Sequence, residues 1–231
     1  MALLREFCAE NVERVPAAIA AGAGRIELCD NLAVGGTSPS YGVIRAAVGI
    51  ARETGAAVMA MARPRGGNFV YTAAEEQIML DDVAMARSLG VDGVVFGCLT
   101  ADGASGEAVV DRDMTARLVE AAHGSVSDEA GTEVPPVAAT FHMAFDELSE
   151  ERQLEAIDFL AGLGVERILT HGGAAGTPIA DNLGRLGRLI EHAAGRLTIL
   201  PGGGITFENA ESVAEALGVQ EVHGTKIVKL A

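Results

Sequence analysis

Leu3-Leu4-Arg5-Glu6-Phe7-Cys8-Ala9 reads as a short strand, the Ala-rich run over 12–21 as a helix stopped by Gly22, and Arg25-Ile26-Glu27-Leu28-Cys29 as a second strand. A strand, a helix and a strand within about 30 residues make a βαβ unit, which requires parallel pairing and a right-handed crossover. The pattern repeats along the chain. Further helices are expected near 40–54, 73–89, 111–122, 148–163, 179–194 and 207–217, and further strands near 57–62, 93–96, 137–141, 167–170, 197–200 and 221–223. Ala-Gly-Ala, Ser-Leu-Gly-Val, Gly-Leu-Gly-Val and Ala-Leu-Gly-Val read as one helix-to-strand turn used repeatedly, with Gly as the stop.

Eight strands alternating with seven helices in 231 residues favour an α/β fold of the (β/α)8 TIM-barrel type over an open doubly wound sheet. One domain over 1–231 is expected, because no linker interrupts the pattern. The eighth helix is missing or truncated, reduced at most to 226–231. Its loss should leave an apolar seam beside strands one and eight, which a second subunit could close, so a homo-oligomer, dimer or tetramer, is expected. Two inserts stand out: 101–107 after strand four, and a polar 124–135 at the opposite end, expected to be a mobile surface loop.

A net charge of −15 argues against nonspecific attraction to nucleic acid or to anionic membranes. No N-terminal run resembles a signal peptide and no apolar stretch approaches the roughly 20 residues of a membrane span, so a cytoplasmic location is expected. Cys8, Cys29 and Cys98 lack the spacing of a structural zinc site and are expected to be buried free thiols.

In such a barrel, polar residues near strand C-termini face the catalytic mouth. Strand three, Met59-Ala60-Met61-Ala62-Arg63-Pro64-Arg65-Gly66-Gly67, begins as core and ends in two guanidinium groups on one face, the signature of an anion pocket. Strand one offers Glu6 and Cys8, strand two Arg25, Glu27 and Cys29, strand five Thr140 and His142 with Asp146 behind them, strand six Thr170 and His171, and strand eight Glu221 and His223. Gly202-Gly203-Gly204 after strand seven reads as a backbone cradle for an anion. A bland reading stands beside each: Glu6 and Glu27 could simply neutralise Arg63 and Arg65, and the glycines could merely turn the chain.

Taken together, Arg25 to Cys29, Gly35-Gly36-Thr37-Ser38-Pro39-Ser40-Tyr41-Gly42, Arg63 to Phe69, Thr140-Phe141-His142-Met143-Ala144-Phe145-Asp146 and Pro201 to Ile205 resemble the CutC copper homeostasis family over nearly the whole chain. The resemblance implies a cytoplasmic TIM barrel associated with copper tolerance and Cu(I) binding, with Cys8 and Cys29 at the family's cysteine positions. It also marks departures: Met143 stands where arginine is usual, His171 where serine is usual, and Gly224-Thr225 where serines often follow the strand-eight histidine. Two mechanisms follow. In one, copper is held by the soft donors Cys8 and Cys29, supplemented by Met59 or Met61. In the other, Arg63 and Arg65, with Thr170, Gly202, Gly203, Gly204 and His223, hold a small phosphate- or carboxylate-bearing substrate. Glu27 or Glu6 then works with His142 and Asp146 as acid and base of a lyase, isomerase or hydrolase. Hard metal ligands from Glu27, His142 and His223 are conceivable, and a receptor for a small anion would need the same arginines without the acid and base.

Overall fold

The computed structural model describes residues 2–127, 131–174 and 176–230. Eight parallel strands, β1 (Leu4–Glu10), β2 (Arg25–Cys29), β3 (Ala57–Met61), β4 (Gly93–Phe96), β5 (Ala138–Phe141), β6 (Arg167–Thr170), β7 (Thr198–Pro201) and β8 (Glu221–Gly224), form one sheet. Its order is β7-β6-β5-β4-β3-β2-β1-β8, so the sheet curls until β7 and β8 stand side by side, without a hydrogen-bonded ladder between them. Outside it run α1 (Val15–Ala20), α2 (Tyr41–Thr54), α3 (Ala73–Ser88), α4 (Arg112–His123), α5 (Glu150–Leu163), α6 (Ile179–Ala193) and α7 (Ala210–Leu217). This is the expected barrel.

The repeated turn works as its glycines suggest: Gly55, Gly164 and Gly218 cap α2, α5 and α7 with φ of 76°, 85° and 67°, a backbone region where a Cβ would be strained. α1 starts later than expected, with Pro16 in its first turn, where the missing N–H costs nothing. The core divides in two. Residues facing outward from the strands pack with the helices in one large apolar layer, whereas Cys8, Cys29, Met59, Met61 and Val95 form a small cluster inside the barrel. Gly93 makes that interior possible, because a Cβ there would lie 2.1 Å from the Met59 methyl.

Three expectations need correction or extension. The apolar seam is not bare: no helix follows β8 among the described residues, but Ile227 and Val228 are buried in the outer layer, and no exposed large apolar side chain lies on β1 or β8. The insert over 101–107 is the tip of an antiparallel hairpin pairing Leu99–Ala101 with Ala108–Val110. In the insert over 124–135, Val126–Ser127 pairs with Glu133–Val134, and buried Arg87 donates to the carbonyls of Val134, Pro135 and Ala121 at 2.7, 2.8 and 3.0 Å. Its expected mobility rests partly on 128–130, outside the described residues.

Candidate functional site

Period-two alternation sends Glu6 and Cys8 of β1, Arg25, Glu27 and Cys29 of β2, Thr140 of β5, and Glu221 and His223 of β8 into the barrel, and β1 lies between β2 and β8. These charges satisfy one another. Arg25 donates from Nε to Glu6 and from a terminal nitrogen to Glu221 at 2.7 Å, and Arg167 Nε donates to the same Glu221 oxygen at 2.9 Å. Glu6 accepts from His223 Nδ1 at 2.8 Å, and His223 Nε2 lies 3.7 Å from Glu27. The partner of Glu6 is therefore Arg25, not Arg63 or Arg65. Burial raises the Glu6 pKa, but the His223 hydrogen bond and the Arg25 charge outweigh it and hold the group down at about 2.

Above this network the sulfurs of Cys8 and Cys29 and a Glu27 oxygen lie within 4.8 Å of one another. Hydrogen bonding to Cys29 and burial hold the Cys8 thiol well above its ordinary value. Cys29 is drawn down by its hydrogen bond with Cys8, yet burial and the Glu27 carboxylate push it up to about 11. Both are neutral thiols at pH 7. A harder set, Glu6, Glu27 and His223, is equally compact, with Glu6 where His142 was expected. To hold a metal, His223 would have to release the proton that Glu27 and Glu6 favour, just as the thiol set would have to release its own.

The barrel mouth opens above as a cavity of about 780 Å³ whose lining includes Cys8, Glu27, Arg63, Phe69, His142, Met143, Gly203, Gly204, His223 and Lys226. Gly97 makes room for His142, since a Cβ there would lie 2.5 Å from Nδ1. Nδ1 accepts from the Ala144 N–H at 3.1 Å, so the proton of the neutral ring sits on Nε2. That Nε2 is buried without a partner among the described residues, as are Glu27 Oε1, Thr140 Oγ1 and Arg63 Nε.

The two arginines do not converge on a ligand. Arg63 stacks on Phe69 and donates to the carbonyls of Val34, Gly36 and Gly67 at 3.0, 2.9 and 2.9 Å, tying the loops after β2 and β3 together. Arg65 turns outward, away from the cavity lining, and its donors reach Glu75 and the carbonyls of Gly66, Asn68 and Val70. The reason is local: β3 ends at Met61, so strict alternation stops before Arg65. Asp146 and Thr170 also serve the scaffold. Thr170 donates to Asp146, which accepts the His171 N–H at 2.9 Å and so fixes the turn after β6.

The comparisons agree with this architecture. The family model described as "CutC family" matches residues 3–228. The chain belongs to the CutC family. A family protein CutC of Enterococcus faecalis is 53% identical over 226 residues, 98% of this chain and 100% of the relative. The human copper homeostasis protein cutC homolog is 37% identical over 220 residues, 95% of this chain and 72% of the relative. A solved Streptococcus agalactiae structure, described as a "Putative Copper Homeostasis Protein CutC", superposes with a TM-score of 0.87 at 42% identity, covering 98% of this chain and 100% of that one.

Within this CutC-family barrel, the departures have places. Met143 lines both the mouth cavity and a neighbouring one of about 820 Å³, so an apolar side chain stands between them. His171 joins the loops after β6 and β7: Nδ1 lies 3.2 and 3.1 Å from the carbonyls of Gly202 and Gly203, and Nε2 lies 3.0 Å from that of Thr177. Sequence reading missed Arg167, which alternation with Leu169 could have placed inside, and Phe69, for which no periodic signal exists.

Two histidines should give stability a maximum in pH. Burial, then the Arg63 charge, pushes His142 down to about 3. Its neutral burial stabilises the fold above the unfolded pKa near 6.5, and that contribution is lost as pH falls from there towards 3. Burial disfavours charge on His223 too, but the Glu27 charge and hydrogen bonds with Cys8 and Glu6 raise it well above 6.5. Its contribution is present below 6.5 and lost as pH rises towards the folded value. Melting temperature should therefore peak near pH 6.5, with His142→Phe flattening the acid side and His223→Gln the alkaline side. A variant that leaves its own limb unchanged would contradict the assignment.

Proposed function

We propose that this protein is a copper homeostasis protein that binds Cu(I) through Cys8 and Cys29 at the floor of the barrel mouth. The observation that carries the reading is the donor set: two thiols on adjacent parallel strands, with Met59 and Met61 packed in the same interior cluster. Thiolate and thioether sulfur are the soft ligands that favour Cu(I), and the nearby His223 imidazolium offsets part of the charge that two thiolates would create. The three cysteines of the chain are all free, which suits a reducing cytoplasm, where Cu(I) is also the stable valence. The reading includes a homo-oligomer, supported by exposed Tyr41 and Ile78 on the packed helices α2 and α3.

The test is an anaerobic titration of the reduced protein with Cu(I) against a competing chelator at several pH values. Because both thiols start protonated, each ligand formed releases a proton, and apparent affinity should rise by up to about a hundredfold per pH unit around neutrality. Affinity indifferent to pH would mean that the thiols are not the ligands.

A second reading rests on the unpaired polar atoms. Glu27 Oε1 and His142 Nε2 are buried and lack partners among the described residues, and both residues line one cavity, an arrangement suited to acid and base work on a small ligand. Glu6 lies outside that lining with both oxygens committed, so Glu27 carries the role. A small anionic ligand is part of this reading. For any ligand found to bind, Glu27→Gln should retain affinity while losing turnover; equal loss of both would mark a receptor instead.

A further inference from the structure

Lys226 lines the mouth cavity, and its ammonium has no ion-pair partner among the described residues. Its backbone is fixed beside the loop after β7, pairing with Thr206 and accepting the Phe207 N–H at 2.8 Å. On that loop, Gly203 and Gly204 take φ of 77° and 76°. His171 Nδ1 faces the carbonyls of Gly202 and Gly203, both of which can only accept, so it carries a proton and holds them turned towards itself. In a trans peptide the N–H points opposite to the C=O, so the N–H groups of Gly203 and Gly204 are directed away from His171. Neither has an acceptor among the described residues.

We propose that this rim, Gly203 N–H, Gly204 N–H and the Lys226 ammonium, binds the phosphate of a small phosphate monoester. Free backbone donors beside an unpaired cation suit a dianion, and the lining carboxylates, Glu27 and Glu147, repel it elsewhere. The cavity, about 780 Å³, is far larger than phosphate alone needs, so an organic part extends over Phe69 and Met143. A second observation fixes what lies at its far end. His142 is 4% exposed, its Nδ1 is occupied, and its Nε2–H has no partner among the described residues, so the ligand presents an oxygen acceptor, carbonyl or hydroxyl, to that donor. The inference rests on the reading of the cavity as a small-ligand site and is independent of copper. His171 acts as a positioning residue that turns the glycine peptides.

Calorimetric titrations with dihydroxyacetone phosphate, dihydroxyacetone and inorganic phosphate test it. The first should bind at least about tenfold more tightly than either fragment, the scale of one charge-assisted hydrogen bond. Lys226→Ala should weaken both phosphate-bearing probes by roughly tenfold or more while Lys226→Arg retains binding. His142→Phe should weaken dihydroxyacetone phosphate but not inorganic phosphate. Lys226 is exposed, so an unchanged melting temperature for Lys226→Ala would assign its loss to binding. Dihydroxyacetone binding as tightly as its phosphate would overturn the phosphate rim while leaving the small-ligand cavity standing. Absence of binding by all three at millimolar concentration, or indifference to Lys226→Ala, would overturn the proposal as well.

Discussion

Cys8→Ser/Cys29→Ser is expected to lower Cu(I) affinity by at least about a thousandfold, because it replaces two soft sulfur donors by hard hydroxyls. The substitution is mild for the fold. Each serine keeps a hydrogen-bonding group where the thiol had one, and Glu27 Oε2, which accepts from Cys29 Sγ at 3.6 Å, can accept from a hydroxyl. The apo variant should therefore melt near the parent, which separates lost binding from lost structure. Met59→Leu and Met61→Leu provide a graded comparison, since thioethers supplement thiolates and do not replace them. Double-cysteine protein that holds Cu(I) within threefold of the parent would remove the thiols from the site.

The second large effect is structural. Arg25→Ala should destabilise the barrel by about 3–5 kcal/mol in urea unfolding, the usual cost of stranding a buried charge. Arg25 and Glu6 are 4% and 2% exposed, and without the guanidinium Glu6 would keep only His223 while Glu221 would keep Arg167. The penalty comes from the orphaned carboxylate more than from the lost attraction. Arg25→Met/Glu6→Gln should therefore recover a large share of it, because the pair leaves together. A loss below about 1 kcal/mol for Arg25→Ala would make the pair equivalent to a surface salt bridge and refute the network as a structural element.

Alternation along strands placed the inward residues of β1, β2 and β8 correctly, because a period of two is a local property of extended backbone. Glu6, Glu27, Cys8, Cys29 and His223 all lie inside as their sequence positions require. The same rule misled at Arg65, where β3 had already ended and the guanidinium found nearer acceptors in its own loop. Lys226 is the converse case. Its place just past β8 marks it in the sequence as a lysine at the mouth, disfavoured there as a Schiff-base group, but only the pairing of its backbone with Thr206 on the β7 loop puts it in one cavity lining with Gly203 and Gly204.

By itself the sequence determined the barrel, the order of its elements, the inward faces of its strands and the family, since each depends on local periodicity, turn chemistry or contiguous motifs. The tertiary structure alone decided which charge pairs with which. Arg25 rather than Arg63 meets Glu6, Arg63 is spent on loop carbonyls, and His142 is left with a bare Nε2–H. Those outcomes depend on distances between strands far apart in the chain, where geometry and desolvation select among partners that composition leaves equivalent.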